Sequence, residues 1–412
     1  MTSQQKAQSF PMREVEFVAM MAAIQALQAL AIDVMMPALG VIAHDLDAGD
    51  PNRRQLVIGV FLIASGFGSL FPGVFADRFG RRRVALIALA AYSLLSLASA
   101  FVTDFTMMLV LRAAIGLFSS AMMIIPVTVI RDRFSGDRMA RTQSLIAMVF
   151  MVVPMMAPLL GQAIMLVAGW RWIFGAMALF AVLVGVWVWF RLPETLHPEY
   201  RQSMEPRRII GNMRAAVTHR EALGYFIGAA LIQGALLGFI NSAQQLVGEA
   251  LGAGPAFPAI FGMMAFLMAC TNFVNSRIVM RFGARRVSHG AILGYIAAAG
   301  LHAAIAGPEQ TLWQFVPLMT LAMCFQSFIG ANFQSIALVP FARIAGAAAS
   351  VLSFIRLVAG AGIGMAIGQA FDGTARPLAL SVLVASIGSL LLVLYSEKGK
   401  LFGRSPAEEE SS

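Results

Sequence analysis

Apolar runs of about 20 residues recur from one end of the chain to the other, separated by short polar turns. In lipid, a run of that length satisfies its backbone hydrogen bonds only as a helix or as part of a closed barrel. The runs lack the alternating period of barrel strands, which selects helices. The pattern predicts spans at 16–40, 55–76, 84–103, 106–130, 142–168, 171–191, 222–247, 256–280, 287–306, 311–337, 345–370 and 376–396. Twelve spans put both termini on one side. The longest polar stretch, Pro193 to Arg220, separates two sets of six. The organisation expected is an N-terminal half at 1–191, a central loop at 192–221, a C-terminal half at 222–396 and a disordered tail at 397–412, acidic at Glu408, Glu409 and Glu410.

Charge decides the orientation. Of 30 Lys and Arg, 24 fall in the N-terminus, the even-numbered loops and the C-terminus; the other loops hold Arg53, Arg54, Arg171 and Arg376. Positive charge stays in the cytoplasm, so both termini, the central loop and the tail are expected there. Composition agrees: 59% of the 412 residues are hydrophobic and 12% charged, against about 25% charged in a soluble domain. The formal charge of +9, which would suggest nucleic acid in a soluble protein, belongs here to loops, and no nucleic-acid partner is expected. Cys270 and Cys324 lie in apolar segments and read as small core residues, not a disulfide framework. The N-terminus is polar through Gln8 and the first apolar run is full length, so no cleavable signal peptide is expected.

A weak internal repeat joins the halves. Arg78-Phe79-Gly80-x-Arg82-Arg83-Val84 after span two returns as Arg281-Phe282-Gly283-x-Arg285-Arg286-Val287 after span eight, an offset of 203 residues (283 − 80). The first copy, Gly73-x-x-x-Asp77-Arg78-x-Gly80-Arg81-Arg82, resembles the signature of the major facilitator superfamily. Further features agree: Asp33-Val-Met-Met-Pro37, Leu111-Arg112-Ala-Ala-Ile-Gly116, Pro154-Met-Met-Ala157-Pro158-Leu-Leu-Gly161, Gly169-Trp170-Arg171-Trp172, Pro193-Glu194-Thr195 and Asp372-Gly373. Over nearly the whole chain they are similar to the drug:proton antiporter branch, nearest to Bcr/CflA-type multidrug exporters. The resemblance implies an all-α fold of two six-helix halves related as parallel repeats. The second repeat copy has Met280 where the acid would stand.

Asp33 is the one carboxylate well inside a predicted span; Glu16, Glu221, Glu249 and Asp372 lie near span ends. A charge at depth costs about 2.5–3.5 kcal/mol on insertion scales and is retained for function by default. Asp33 and Arg112 lie at nearly equal depth, about 10 Å from one face. In the family fold their spans line the cavity, so an ion pair is expected, which a proton arriving on Asp33 would break. The plain alternative is a static pair pinning two helices.

For the first basic loop, topology alone explains some of the arginines, but Asp77 has no topological use. By resemblance it would meet the N-terminal end of span eleven near Ala345 and Gly346, and Arg131 or Arg133, as a latch between halves with Gly73, Arg78, Gly80 and Arg81. Gly73 would let helices approach closely. Pro154, Ala157, Pro158 and Gly161 combine helix bending with small residues four apart and resemble the antiporter motif that seals the cavity against proton leak. Gln25 joins Gln233, Asn241, Gln244, Gln326, Asn332 and Gln334 as cavity candidates, with interhelical hydrogen bonding as the alternative. Asn272 and Asn275 add to the intramembrane amides. Arg356 lies mid-span without an acid in its own half, and the open readings are the cavity, a substrate anion or a backbone carbonyl. The 26 Met and 30 Phe suit an adaptable cavity wall, or simply face lipid.

These expectations describe a secondary transporter of the bacterial inner membrane, exporting small amphipathic or drug-like compounds in exchange for protons. A proton-coupled importer or facilitator of one metabolite on the same fold is the alternative. A membrane enzyme would need a nucleophile–base set or metal ligands, and a primary pump a phosphate-binding loop; no such motif occurs. The partners expected are a small-molecule substrate, protons and the lipid bilayer, with the chain acting as a monomer and without cofactor or metal.

Overall fold

The computed structural model describes residues 12–134, 136–196, 211 and 218–402, and among these all regular structure is helical. The first apolar run forms α1 (Glu14–Asp33) and α2 (Leu39–Asp45), the second α3 (Leu56–Gly68) and α4 (Pro72–Phe79). Then come α5 (Arg81–Ala100), α6 (Phe105–Arg133), α7 (Gly136–Ala168) and α8 (Arg171–Arg191). The C-terminal set is α9 (Arg220–Ala243), α10 (Phe257–Phe282), α11 (Ala284–Ile305), α12 (Leu312–Leu338), α13 (Ala345–Gln369) and α14 (Arg376–Ser396). Ten helical segments among the described residues are long and apolar enough to cross a membrane; Pro51–Gly68 with Pro72–Phe79, bent by 46°, makes an eleventh if it is one span. The predicted span 142–168 falls in α7, whose described apolar stretch is Val152–Ala168. Most of the expected central loop, 197–210 and 212–217, and the tail from 403 onward lie outside the described residues.

Proline places the two breaks. Pro37 lies within the 3-10 turn Met36–Ala38, so α1 ends at Asp33 and the span resumes only at Leu39. Pro72 opens α4 and bends it away from α3. Pro126 in α6, and Pro154 and Pro158 in α7, are instead carried inside continuous helices. The surface is that of a membrane protein turned toward lipid: Val167 is 89% exposed and Trp313 85%, while polar Gln55, Arg112 and Ser119 are wholly buried.

Within the N-terminal set α3 packs on α6, α5 on α8, and α1 on α6 and α7; within the C-terminal set α9 packs on α13 and α14, and α12 on α10 and α11. Among the described residues the main helix contacts between the sets are α3 with α13 and α7 with α10. The repeat is visible in the backbone. Gly80 joins α4 to α5 at φ +100° and Gly283 joins α10 to α11 at φ +79°, a left-handed conformation that glycine adopts without strain. Residues 397–402, expected to begin a disordered tail, are anchored: Glu397 accepts from Tyr225 at 2.7 Å and pairs with Arg285 at 3.2 Å, and the Phe402 amide donates to His289 Nδ1 at 3.0 Å.

Candidate functional site

The break after Asp33 organises the centre of the N-terminal set. A helix end leaves its last carbonyls without intrahelical partners and carries partial negative charge. The fully buried Arg112 of α6 supplies a missing donor, Nη2 to Ala31 O at 2.7 Å, and adds Nε at 3.0 Å to Val57 O in the first turn of α3. Its guanidinium also stands 4.4 Å from the centre of the Phe61 ring. Arg112 therefore does not form the ion pair expected with Asp33; two backbone carbonyls and an aromatic face take its charge. Asp33 is 6% exposed, and among the described residues its carboxylate has neither hydrogen-bond partner nor ion pair.

The cluster in α7 reaches this site directly. Gly161 lies against the carbonyl of Val34, the residue after Asp33, so closely that any Cβ would collide with that oxygen. Ala157, one turn earlier, is buried. The same logic brings α6 onto α3, where Gly116 faces the Phe61 carbonyl and Gly68 would put a Cβ 2.6 Å from Leu117 O. Gly73 is not such a contact: a Cβ there would come no nearer than 3.9 Å, to Ile124.

Among the described residues Asp77 meets Arg81. Arg81 is buried, donating Nη2 to Asp77 at 2.8 Å and Nη1 to Ala76 O at 2.9 Å, while Nε lies 2.8 Å from Asp132. Arg131 is exposed, and the side chains of Ala345 and Gly346 are outside the described set. Glu194 completes the arrangement, accepting from the Arg81 amide at 2.8 Å at the start of α5. Gly80 leaves the room that carboxylate needs, and Thr195 donates to Asp132 at 3.1 Å. Arg78 lies 5.3 Å from the Phe79 ring. In the second repeat the positions of Asp77 and Arg81 hold Met280 and Ala284, so this bond has no counterpart there. Glu194 does have one, Glu397 (397 − 194 = 203), likewise just past the last helix of its set.

At the far end of α3 a second polar cluster crosses between the sets. Arg54 grips Glu249 with both amino groups, each at 2.7 Å, and its Nη1 also reaches Gln244 at 3.2 Å. Gln55 donates to Gln245 at 3.0 Å, Gln245 to Asn52 at 2.8 Å, and Asn52 to Phe371 O at 2.9 Å. The π-helical turn Gln244–Ala250 presents both glutamines and Glu249. Gly40 and Gly368 leave the space for Arg54 and Gln55. A pocket of about 370 Å³ lies beside the ion pair, lined by Pro37, Gly40, His44, Arg54, Gln244 and Glu249 among others. Nearby, hydrogen bonds from the Thr374 hydroxyl and amide hold the exposed Asp372 carboxyl below the usual carboxylate range.

The amides divide. Gln244 belongs to the crossing cluster and Asn332 donates to Asn275 at 3.1 Å, so these two act between helices. Gln334 is exposed, whereas Gln25 and Gln326 are buried and Gln233 half-buried. Asn241, 2% exposed, has no partner for either amide atom among the described residues. Arg54, Glu249 and Glu194 stand out in the sequence only as a loop arginine, an acid near a span end and part of Pro193-Glu194-Thr195; their partners were not legible there.

The model of the Major Facilitator Superfamily matches residues 21–368, and the chain belongs to that family: it is a multi-pass membrane transporter and not an enzyme. It is 26% identical to a bicyclomycin resistance protein homolog of Haemophilus influenzae over 94% of this chain and 98% of that one. It is 28% identical to the multidrug resistance protein MdtL of Klebsiella pneumoniae, over 88% and 91%. Among solved structures, a bacterial homolog of the human lysosomal transporter Spinster, inward-facing and occupied, superposes with a TM-score of 0.71 at 16% identity, covering 94% of this chain and 98% of that one. The human organic anion transporter MFSD10 gives 0.70 at 16% identity over 93% and 100%.

Proposed function

We propose that this protein exports small amphipathic or drug-like compounds from a bacterial cell in exchange for protons, by alternating access. Asp33 carries the reading. It is a buried carboxylate with no polar partner among the described residues, set where α1 breaks and where Gly161 of α7 touches the next carbonyl. A proton can visit such a group without dismantling an ion pair, and a change at the break passes straight to α7. The names of the relatives, bicyclomycin resistance protein homolog and multidrug resistance protein, support drug efflux.

In this reading the chain spans the inner membrane twelve times with both termini in the cytoplasm, on the evidence of the positive charge. The Asp77–Arg81–Asp132 end is then cytoplasmic and the Arg54–Glu249 end periplasmic. The conformation is closed toward the periplasm, where Arg54, Gln55 and Asn52 hold the two sets together. Opening that end breaks the cluster. The Asp77–Arg81 bond, inside the N-terminal set, keeps α4, α5 and α6 together while the sets rock.

The test is transport by purified protein in liposomes carrying a pH gradient, with bicyclomycin and a panel of amphipathic dyes. Gradient-driven movement of compound toward the acidic side is expected, with matching proton counterflow. Asp33→Asn abolishes it while the protein stays folded. Full gradient-driven transport by Asp33→Asn, or uptake in the opposite sense, overturns the reading.

A further inference from the structure

Arg356 lies in the middle of α13, about 17 Å along the axis from its first residue, Ala345. A guanidinium at that depth needs an anion, carbonyl oxygens or an aromatic face. The buried arginines have them: Arg112 takes two carbonyls and Phe61, Arg81 takes Asp77 and Asp132, Arg54 takes Glu249, whereas Arg356 is half-buried. Arg356 has none among the described residues, and its Nε is shielded from solvent without a partner.

The surroundings explain the vacancy in bonding. On α13, Gly360 packs against Gln233 and Gly364 against Leu237, so α13 and α9 run side by side in one direction. Arg356 is one turn before Gly360 on the same face and therefore falls level with Ala229 and Ala230, which offer no polar side chain. Both helices run unbroken past this level, so their carbonyls accept within the helices, and among the described residues none accepts from Arg356. Toward α3, Phe354 meets Phe67 and Gly66 meets Val358, and the Gly66, Phe67 and Gly68 carbonyls are already bonded to the following turn. Acids of the described C-terminal set, Glu221, Glu249, Glu309, Asp372 and Glu397, all stand at helix ends or in loops. Asp33 is not at this depth either: Arg112 beside it is level with Phe61 and Arg356 with Phe67, roughly 9 Å further along α3.

On α9 the polar side chain nearest in register is Gln233, one turn further on, half-buried and also without a partner among the described residues. A guanidinium and a primary amide one turn apart on facing helices, both unspent, make a receptor for an oxyanion. A planar guanidinium bonds a carboxylate, sulfonate or phosphate through two parallel hydrogen bonds. We infer that Arg356, with Gln233, binds the anionic group of the transported compound, so that amphipathic organic anions are preferred over their neutral counterparts. The inference rests on the export reading for the route of the compound, but its test needs no transport.

Isothermal titration calorimetry on the full-length purified chain at neutral pH, without any proton gradient, compares 1-naphthoate with its neutral isostere 1-naphthamide. The parent is expected to bind the carboxylate about tenfold more tightly, the yield of a charge-assisted bond. Arg356→Gln brings the ratio of the two affinities to about one, Arg356→Lys keeps part of it, and Gln233→Leu lowers it less than Arg356→Gln does. Thermal melting confirms that each variant is folded. A parent ratio near one, a ratio unchanged in Arg356→Gln, or no binding of either probe by the folded parent overturns the assignment. Because equilibrium affinity alone is read, failure of proton coupling at Asp33 leaves this result untouched.

Discussion

Arg112 Nη2 donates to the carbonyl of Ala31 at 2.7 Å, tying α6 to the broken end of α1 two residues before Asp33. The bond turns an intramembrane cation into a cap for a helix C-terminus. It also leaves the neighbouring carboxylate free of a counter-charge, which a paired arginine would have supplied.

Removing this cap should be felt as instability before it is felt in transport. Arg112→Ala orphans the Ala31 carbonyl at about 1–3 kcal/mol, takes a second donor from the helical Val57 carbonyl, and leaves a void beside Phe61. Arg112→Lys has a compact head that cannot bridge both carbonyls and lie flat on the ring. Thermal melting followed by tryptophan fluorescence is expected to rank parent above Lys above Ala. Equal midpoints for parent and Ala would show that the cap is energetically idle.

Gly161 offers a sharper handle on the break. Gly161→Ala forces α7 or the Val34 carbonyl to move, an overpacking cost of about 1–3 kcal/mol, and displaces Asp33. Gradient-driven transport should fall by roughly tenfold or more with the protein still folded. Gly175→Ala, whose Cβ meets nothing nearer than Trp172 at 3.5 Å, is the matched control and should transport as the parent does. A Gly161→Ala protein of normal rate would remove the mechanical link between α7 and Asp33.

The Arg54–Glu249 pair sets the balance between closed and open at its own end. Glu249→Gln weakens a bidentate charged contact and is expected to raise the open population by roughly ten- to hundredfold. Spin labels at the exposed His44 and Ala256 report it as a longer distance component. The exchange Arg54→Glu with Glu249→Arg should recover most of the short distance. An unchanged distribution in Glu249→Gln would mean that Gln55, Gln245 and Asn52 hold the end alone.

At the opposite end Arg81 bridges two acids, so its loss should exceed that of either. Arg81→Gln breaks contacts to both Asp77 and Asp132, whereas Asp77→Asn keeps the second. Turnover in liposomes is expected to fall further in Arg81→Gln than in Asp77→Asn, with binding affinity for the transported compound unchanged in both. Met280→Ala, at the position matching Asp77 in the second repeat, should be silent. A slower Met280→Ala would argue that the two repeats contribute alike.

The helical class and the order of apolar segments could be read from the chain because each depends on residues near one another; the breaks inside spans 16–40 and 55–76 were not read, though their causes are local. Pro37 and Pro72 break their helices through their own missing amides, and Gly80 and Gly283 turn through their own φ. The partners of the charged groups could not be read that way. Equal depth for Asp33 and Arg112 suggested a pair. The tertiary structure gave Arg112 to Ala31 and Val57 because α1 stops at Asp33 and leaves a carbonyl bare where α3 and α6 close around it. Arg54 finds Glu249 across 195 positions, and Gly161 finds the Val34 carbonyl, only once the two sets are packed. Local sequence sets where a helix can end; which side chain then satisfies that end depends on neighbours brought from elsewhere in the chain.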